Sequence, residues 1–211
     1  VICPKDSWDT LRELPPEIMI IEPSQVNPRR HDVLVVGPNW GLDSDSRSMV
    51  VEWWNNYPNP LVLDADAITV LSNEIQPVSH PRILTPHSAE AARLLDWTRS
   101  DVENLCFEAA NQLCKFGLTV LKGPNTIIQN IEHCWINPFR DSRLAIAGSG
   151  DVLSGLVGGF CAQQKTIENS VLLAVYIHAI SGTDLNFGDG ASDLISAAQR
   201  IIREYRNSNS I

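Results

Sequence analysis

No stretch of this 211-residue sequence is apolar for long enough to cross a bilayer. The apolar residues of 171–180 are interrupted by Tyr176 and His178, and no membrane partner is expected. Basic residues are few: 16 Lys and Arg against 25 Asp and Glu give a formal net charge of −9, with no basic stripe along the chain. That balance disfavours nucleic-acid backbones and anionic membrane surfaces. The cysteines Cys3, Cys106, Cys114, Cys134 and Cys161 are odd in number and include no C-x-x-C pair. Set in apolar segments, they read as buried free thiols of a reducing compartment, and the cytoplasm is the expected location. His31, His80, His87, His133 and His178 show no zinc spacing, and His178 reads as a hydrogen-bonded core residue. Also missing are G-x-x-x-x-G-K-[ST], G-x-G-x-x-G after a strand, G-x-S-x-G and H-E-x-x-H, which sets aside the commonest phosphate, dinucleotide, serine-hydrolase and metalloprotease signatures. No internal repeat or low-complexity segment occurs.

What is present is 44% hydrophobic residues, enough to bury a large core. One domain over 1–211 is expected. Val1-Ile2-Cys3 reads as a strand, Asp6 to Leu14 as a short helix, and 23–32 as a polar loop. Four apolar runs follow: 32–36, 61–63, 82–84 and 118–121. Each has the look of a strand buried on both faces. Between them lie helical patterns: one led by Asp43–Ser46, one through Leu71, one opened by Pro86, and one started by a Ser100/Glu103 capping box and stopped by Gly117. Residues 127–128 and 134–136 read as an antiparallel pair turning near Asn130. Two more helices are expected, from Thr166 to about Asp184 and from a Ser192 cap past Ile202. This alternation predicts an α/β fold: a three-layer, doubly wound, mostly parallel sheet with helices on both faces and a small antiparallel addition near 126–136. A ligand belongs at the carboxyl ends of such strands. Those ends carry Gly37-Pro-Asn39, Asp64-Ala-Asp66, Thr85-Pro-His87 and Lys122-Gly-Pro-Asn-Thr126.

The stretch 145–162 adds a glycine-framed acid at the mouth of an apolar helix. The turn Gly148-Ser149-Gly150, leading into free helix N–H groups, makes a cradle for an anion, and Asp151 falls in the first turn. Gly155, Gly158 and Gly159 inside the helix suggest close approach of another group. An ordinary helix start, with Ser149 capping and Asp151 complementing the dipole, accounts for these residues equally well. Together with Lys122 and Thr126 at a strand end, however, cradle and acid suit phosphoryl transfer to a hydroxyl, the cradle stabilising the moving group and the acid orienting or deprotonating the acceptor.

These segments resemble the ADP/ATP-dependent NAD(P)H-hydrate dehydratases, a branch of the ribokinase-like fold. The resemblance rests on VVGPNWG (35–41), LVLDADAI (61–68), ILTPHSAEAARLL (83–95), VLKGPNTII (120–128), AGSGDVLSGLVGG (147–159) and GASDLI (190–195), whose order and spacing match across nearly the whole chain. It implies repair of hydrated NADH or NADPH, with ADP or ATP as co-substrate accompanied by Mg²⁺, and a homo-oligomer, often a tetramer. By motif, Asp151 is the implied acid/base. Lys122, Gly123, Pro124, Asn125, Thr126, Gly148, Ser149 and Gly150 are implied at the nucleotide, and Gly37, Asn39, Gly41, His87 and Asp151 at the dinucleotide substrate. No metal-ligating side chain is implied. The sequence departs from the family pattern at Asn39, Ser88-Ala89, Ala147 and the 138–143 loop, and the family's first strand and glycine-rich segment have no counterpart in it. Two other readings stay open: a vitamin-precursor kinase of the same fold, and a nucleotide-binding protein without turnover.

Overall fold

The four apolar runs form parallel strands: β1 (Leu34–Val36), β2 (Leu61–Leu63), β3 (Arg82–Leu84) and β4 (Leu118–Leu121). Leu61, Val62 and Leu63 are fully buried, as are Ile83 and Leu84. Strands covered on both faces need no polar alternation, which is why they read as continuous apolar runs. The computed structural model describes all residues except 4–8, 10, 12, 13, 73, 164, 165 and 209–211. Most of the helix expected from Asp6 toward Leu14 therefore lies outside the described residues.

The described residues divide into two compact units, Val1–Asp32 and Val33–Ile211. In the first, the strand expected at Val1-Ile2-Cys3 is only a bridge: Ile2 pairs in parallel with Ile21, and Cys3 N–H donates to Ile21 O at 3.1 Å. One 3-10 turn, Pro23–Gln25, interrupts the expected loop, with Glu22 and Gln25 capping each other.

In the second unit the sheet has six strands in sequential order. After β4 the chain returns antiparallel as β5 (Ile127–Gln129), which pairs antiparallel with β6 (Cys134–Ile136). The crossovers carry α1 (Ser44–Asn56), α2 (Ala65–Leu71), α3 (Ser88–Leu95), α4 (Arg99–Asn104) and α5 (Cys106–Leu113). Right-handed crossovers between strands in sequential order put these helices on one face. The other face is covered by α6 (Ser149–Cys161), α7 (Ile167–Gly182) and α8 (Ala191–Ser208). There Val62, Ile83, Val120 and Ile128 from the sheet meet Leu153, Val157, Val171 and Val175 in one buried cluster.

Several helix starts differ from the sequence reading. His87 is the N-cap of α3, its Nδ1 accepting from Ala89 and Glu90 N–H, so Pro86 stands outside the helix. The next capping box is Thr98 with Asp101, while Glu103 instead pairs with Arg99 at 2.7 Å and accepts from Ser88. Leu105 (φ −119°, ψ 42°) breaks the single expected helix into α4 and α5 and is itself exposed. Helix α8 begins at Ala191, one residue before the expected Ser192 cap, with Asp193 reaching back to Gly190 N–H at 2.9 Å.

Among the glycines of α6, close approach holds for one. A Cβ on Gly158 would come to 2.3 Å from Val35 Cγ2, so β1 packs directly on the helix there, whereas Gly155 and Gly159 face open space.

Candidate active site

Because β1 to β4 are parallel, their carboxyl ends share one edge, and the chain locks them together there. A Cβ on Gly37, at the end of β1, would fall 1.7 Å from Asp64 O, so only glycine lets β1 and β2 close at this point. Gly41 N–H donates to Asp66 Oδ2 at 3.0 Å, tying the 37–41 loop to the start of α2, and Asn39 in that loop has φ +52°. Beyond β3 and β4 the pairing resumes at a bridge between His87 and Lys122, with Lys122 N–H donating to Pro86 O at 2.8 Å. That bridge sets the imidazole of His87 beside the root of Lys122.

Lys122 carries its ammonium into a nest of carboxylates. Nζ lies 2.7 Å from Asp64 Oδ1 and 3.8 Å from Glu90 Oε2. Asp64 is 1% exposed, and its Oδ2 accepts from the Ser154 hydroxyl of α6. Glu90 accepts from His87 N–H at 2.8 Å and lies 3.2 Å from His87 Nε2. Since Nδ1 of His87 already accepts two backbone bonds, Nε2 carries the proton and faces Glu90.

Helix α6 begins opposite this cluster. Gly148 occupies the N-cap position with φ +83° and no side-chain cap, so the cap expected from Ser149 is not made. Ser149 instead lies inside the helix, buried, with its Oγ 3.1 Å and its carbonyl oxygen 3.0 Å from His178 Nε2. Burial pushes the His178 imidazole below its ordinary pKa; the Ser149 carbonyl bond acts the other way, and the Lys122 charge adds to the fall. A neutral His178 donating to Ser149 O fits this setting. Ser149 N–H donates to Ile146 O at 3.3 Å, and the N–H groups of Gly150 and Asp151 remain available to an anion. Asp151 follows on the exposed side of that turn. Withdrawal of water pushes its carboxyl above the usual range, the nearby charge of Asp64 adds to this, and Lys122 opposes it.

Two cavities meet at this helix start. The larger, about 870 Å³, is lined by His87, Lys122, Gly123, Pro124, Thr126, Ser149 and Gly150, with Asn137, Phe139–Ser142 and His178 closing it. The smaller, about 530 Å³, runs between α6 and α8 and is lined by Gly148, Asp151, Gly155, Gly159, Ala191 and Ile195 among others. Most of the predicted nucleotide residues thus share one cavity, with Gly148 on the other side of the turn. Asn125 is outside both linings, its amide 3.4 Å from Asn137 O. Gly37, Asn39 and Gly41 line neither cavity and stand behind Asp64 and Asp66. The atypical 138–143 loop is held by Arg143, which pairs with Asp141 at 2.5 Å and donates to Leu185 O at 2.7 Å.

The sequence reading did not single out Glu90, Ser154 or Asn137. Ser154 carried one signal: it lies one helical turn after Gly150, on the same face. Nothing in the sequence marks Glu90 as the partner of Lys122, 32 positions away.

The family model for NAD(P)H-hydrate dehydratase matches residues 1–204. The ADP-dependent (S)-NAD(P)H-hydrate dehydratase of Lactiplantibacillus plantarum is 32% identical over 179 residues, covering 81% of this chain and 64% of that protein. The bifunctional NAD(P)H-hydrate repair enzyme of Thermanaerovibrio acidaminovorans is 34% identical over 166 residues, 77% of this chain and 32% of that protein. The chain therefore spans about a third of such bifunctional relatives and just under two thirds of the single-activity one. Among solved structures, the ADP/ATP-dependent NAD(P)H-hydrate dehydratase of Bacillus subtilis co-crystallised with ATP and Mg²⁺ superposes with a TM-score of 0.83 at 24% identity, over 95% of this chain and 76% of that one. That likeness shows the fold, and a ribokinase-like superfamily protein of Enterococcus faecalis superposes with a TM-score of 0.84 at 25% identity, over 97% of this chain and 76% of that one.

Proposed function

This chain belongs to the NAD(P)H-hydrate dehydratase family, and from that premise we propose that it uses ADP or ATP to dehydrate hydrated NADH or NADPH. In this reading the ring hydroxyl of the hydrated nicotinamide takes a phosphoryl group from the nucleotide, and loss of that phosphate restores the reduced cofactor. The observation that carries the reading is the meeting, at one strand edge, of the Lys122 ammonium, the uncapped first turn of α6 and the raised carboxyl of Asp151.

Each residue has a task set by its chemistry. The N–H groups that the Gly148–Gly150 turn leaves free receive the transferring phosphoryl oxygens, and Lys122 adds a positive charge beside them. Gly123, Pro124, Asn125 and Thr126 shape the loop along which the nucleotide lies. Asp151, near but not within the cradle, accepts the proton of the attacking hydroxyl; a carboxyl held above its usual range is better matched to that work near neutral pH than an ordinary aspartate. His87 contacts the substrate from the end of β3, and the Gly37–Gly41 loop, outside both cavities, acts by holding Asp64 and Asp66 in place. Mg²⁺ is a hard cation that binds chiefly through substrate phosphates and water. Among the described residues no three His, Cys, Asp or Glu side chains gather into a cage for it.

Incubation with hydrated NADH and either ADP or ATP tests the reading directly. The absorbance of reduced nicotinamide is expected to return in proportion to nucleotide consumed. Phosphorylation of a vitamin-type alcohol without that return would assign the chain to the kinases of the same fold, and binding without turnover would leave it a nucleotide-binding protein.

A further inference from the structure

We propose that Asp64 is a positioning residue of this centre: clamped by Ser154, it holds the Lys122 ammonium at a fixed place under the first turn of α6. The proposal rests on reading the site as one of phosphoryl transfer. Asp64 is the first residue after β2 and sits at the middle of four elements. Its N–H donates to Val36 O at 3.0 Å, and its own carbonyl lies against Gly37. Oδ1 accepts from Lys122 Nζ at 2.7 Å and from Ala65 N–H at 3.0 Å, while Oδ2 accepts from Ser154. The backbone bends sharply to allow this, Ala65 taking φ +46°, a left-handed conformation that non-glycine residues seldom adopt.

A buried carboxylate with three donors could be a structural ion pair and nothing more. Two observations say otherwise. Lys122 is not sealed in: its side chain is 19% exposed and lines the larger cavity. And Ser154 Oγ lies 3.0 Å from Gly150 O, in the very turn that offers its N–H groups to the anion. A hydroxyl has one proton, and the charged acceptor takes it. Asp64 is thereby tied directly to the cation of the site and, through Ser154, to α6, whose first turn is the cradle, so that the two keep a constant separation. Holding donors at a set spacing before the substrate arrives is what lowers a transition state, and a loose lysine would bind phosphate without doing so.

The pairing also leaves Lys122 largely neutralised in the resting site. Removing the charge of Asp64 should therefore strengthen the attraction for nucleotide phosphate while spoiling its placement, a combination that a loss of structure does not produce. The charged groups acting on Asp151 are Asp64 from the start of α2 and Lys122 from the end of β4; Arg206 of α8 lines the far end of the smaller cavity, where it donates to Gln163, and His178 of α7 reaches the first turn of α6 through Ser149.

The test is Asp64→Asn, compared with the unaltered protein for ADP affinity by calorimetry, for turnover of hydrated NADH, and for the pH dependence of that turnover. The expected result is ADP bound about threefold to tenfold tighter, kcat lowered by about tenfold or more, and the acid limb of the profile moved to lower pH, since Asp151 loses a negative neighbour. Ser154→Ala, which keeps both charges, is expected to lower kcat per folded molecule about threefold and the melting temperature by a few degrees, since Oδ2 of Asp64 loses its donor, and it carries the test if the Asn variant does not fold. ADP affinity not raised, together with unchanged turnover per folded molecule, would overturn the proposal. If the unaltered protein fails to regenerate NADH with either nucleotide, the proposed function falls, and the ADP measurement still decides the role of Asp64.

Discussion

At Gly150 an added methyl would come to 3.4 Å from Lys122 Nζ and 3.9 Å from Asp64 Oδ2, which are ordinary contact distances. The fold itself therefore tolerates alanine there, and the empty space beside the ammonium is of use only to a ligand. Gly150→Ala is expected to melt within about 2 °C of the parent while weakening ADP binding about tenfold or more; calorimetry and a thermal melt on one sample decide it. Asp151 separates the two readings of the helix start in the same way. Asp151→Asn keeps the shape of the side chain and removes the base, so turnover should fall by about 10²- to 10⁴-fold with ADP affinity little changed. The sign of its effect on stability follows from the raised pKa. A carboxyl that is harder to ionise in the folded state withdraws stability as pH rises from its ordinary range through its raised one, so the Asn variant should melt no lower than the parent at neutral pH. A variant with near-normal single-turnover rate and a lowered melting point would reduce Asp151 to a helix-start residue.

At the scale of elements, Arg82 does for α1 what no local residue does. Standing at the start of β3 and 3% exposed, it donates to the carbonyls of Trp53, Trp54 and Tyr57 at 3.2, 2.6 and 2.8 Å, closing the carboxyl end of that helix, with its guanidinium also over the Trp54 ring. Burial pushes its pKa down to about 10, yet the row of carbonyls keeps the cation in place, helped by the negative end of the helix dipole. Arg82→Met keeps a long side chain and removes the guanidinium donors from the Trp54 and Tyr57 carbonyls, while Trp53 O keeps the N–H of Tyr57. A loss of about 3 kcal/mol, or roughly 6–12 °C in melting temperature, is expected, with ADP affinity of the folded protein unchanged; a shift under about 2 °C would show the carbonyls find other donors.

The strands and their order of appearance were legible in the sequence because a strand buried on both faces leaves an uninterrupted apolar run, and because each run ends in residues with distinct chemistry: Gly37, Asp64, Thr85-Pro86 and Lys122. The caps were less so. Thr98/Asp101 and Ser100/Glu103 satisfy one spacing rule two residues apart, and only the competing partners of Glu103, Arg99 and Ser88, decide between them. Three glycines in α6 looked alike, but the reason for Gly158 lies in Val35, more than a hundred residues earlier. The pairing of Asp64 with Ser154, 90 positions apart, has no local signal at all.

For the molecule as a whole, the site sits at the edge where four parallel strands end, and its one lysine is flanked by Asp64 and Glu90. Attraction for an anion at this place is therefore made by oriented peptide dipoles more than by net charge, and dipolar attraction fades within a few ångströms. At longer range an incoming nucleotide meets a chain of formal charge −9. Capture and retention are then governed by different forces: the first is slowed by a repulsion that dissolved salt screens, the second by contacts that salt scarcely reaches. Added salt should quicken the encounter and leave the lifetime of the complex nearly as it was, the reverse of what a basic groove does.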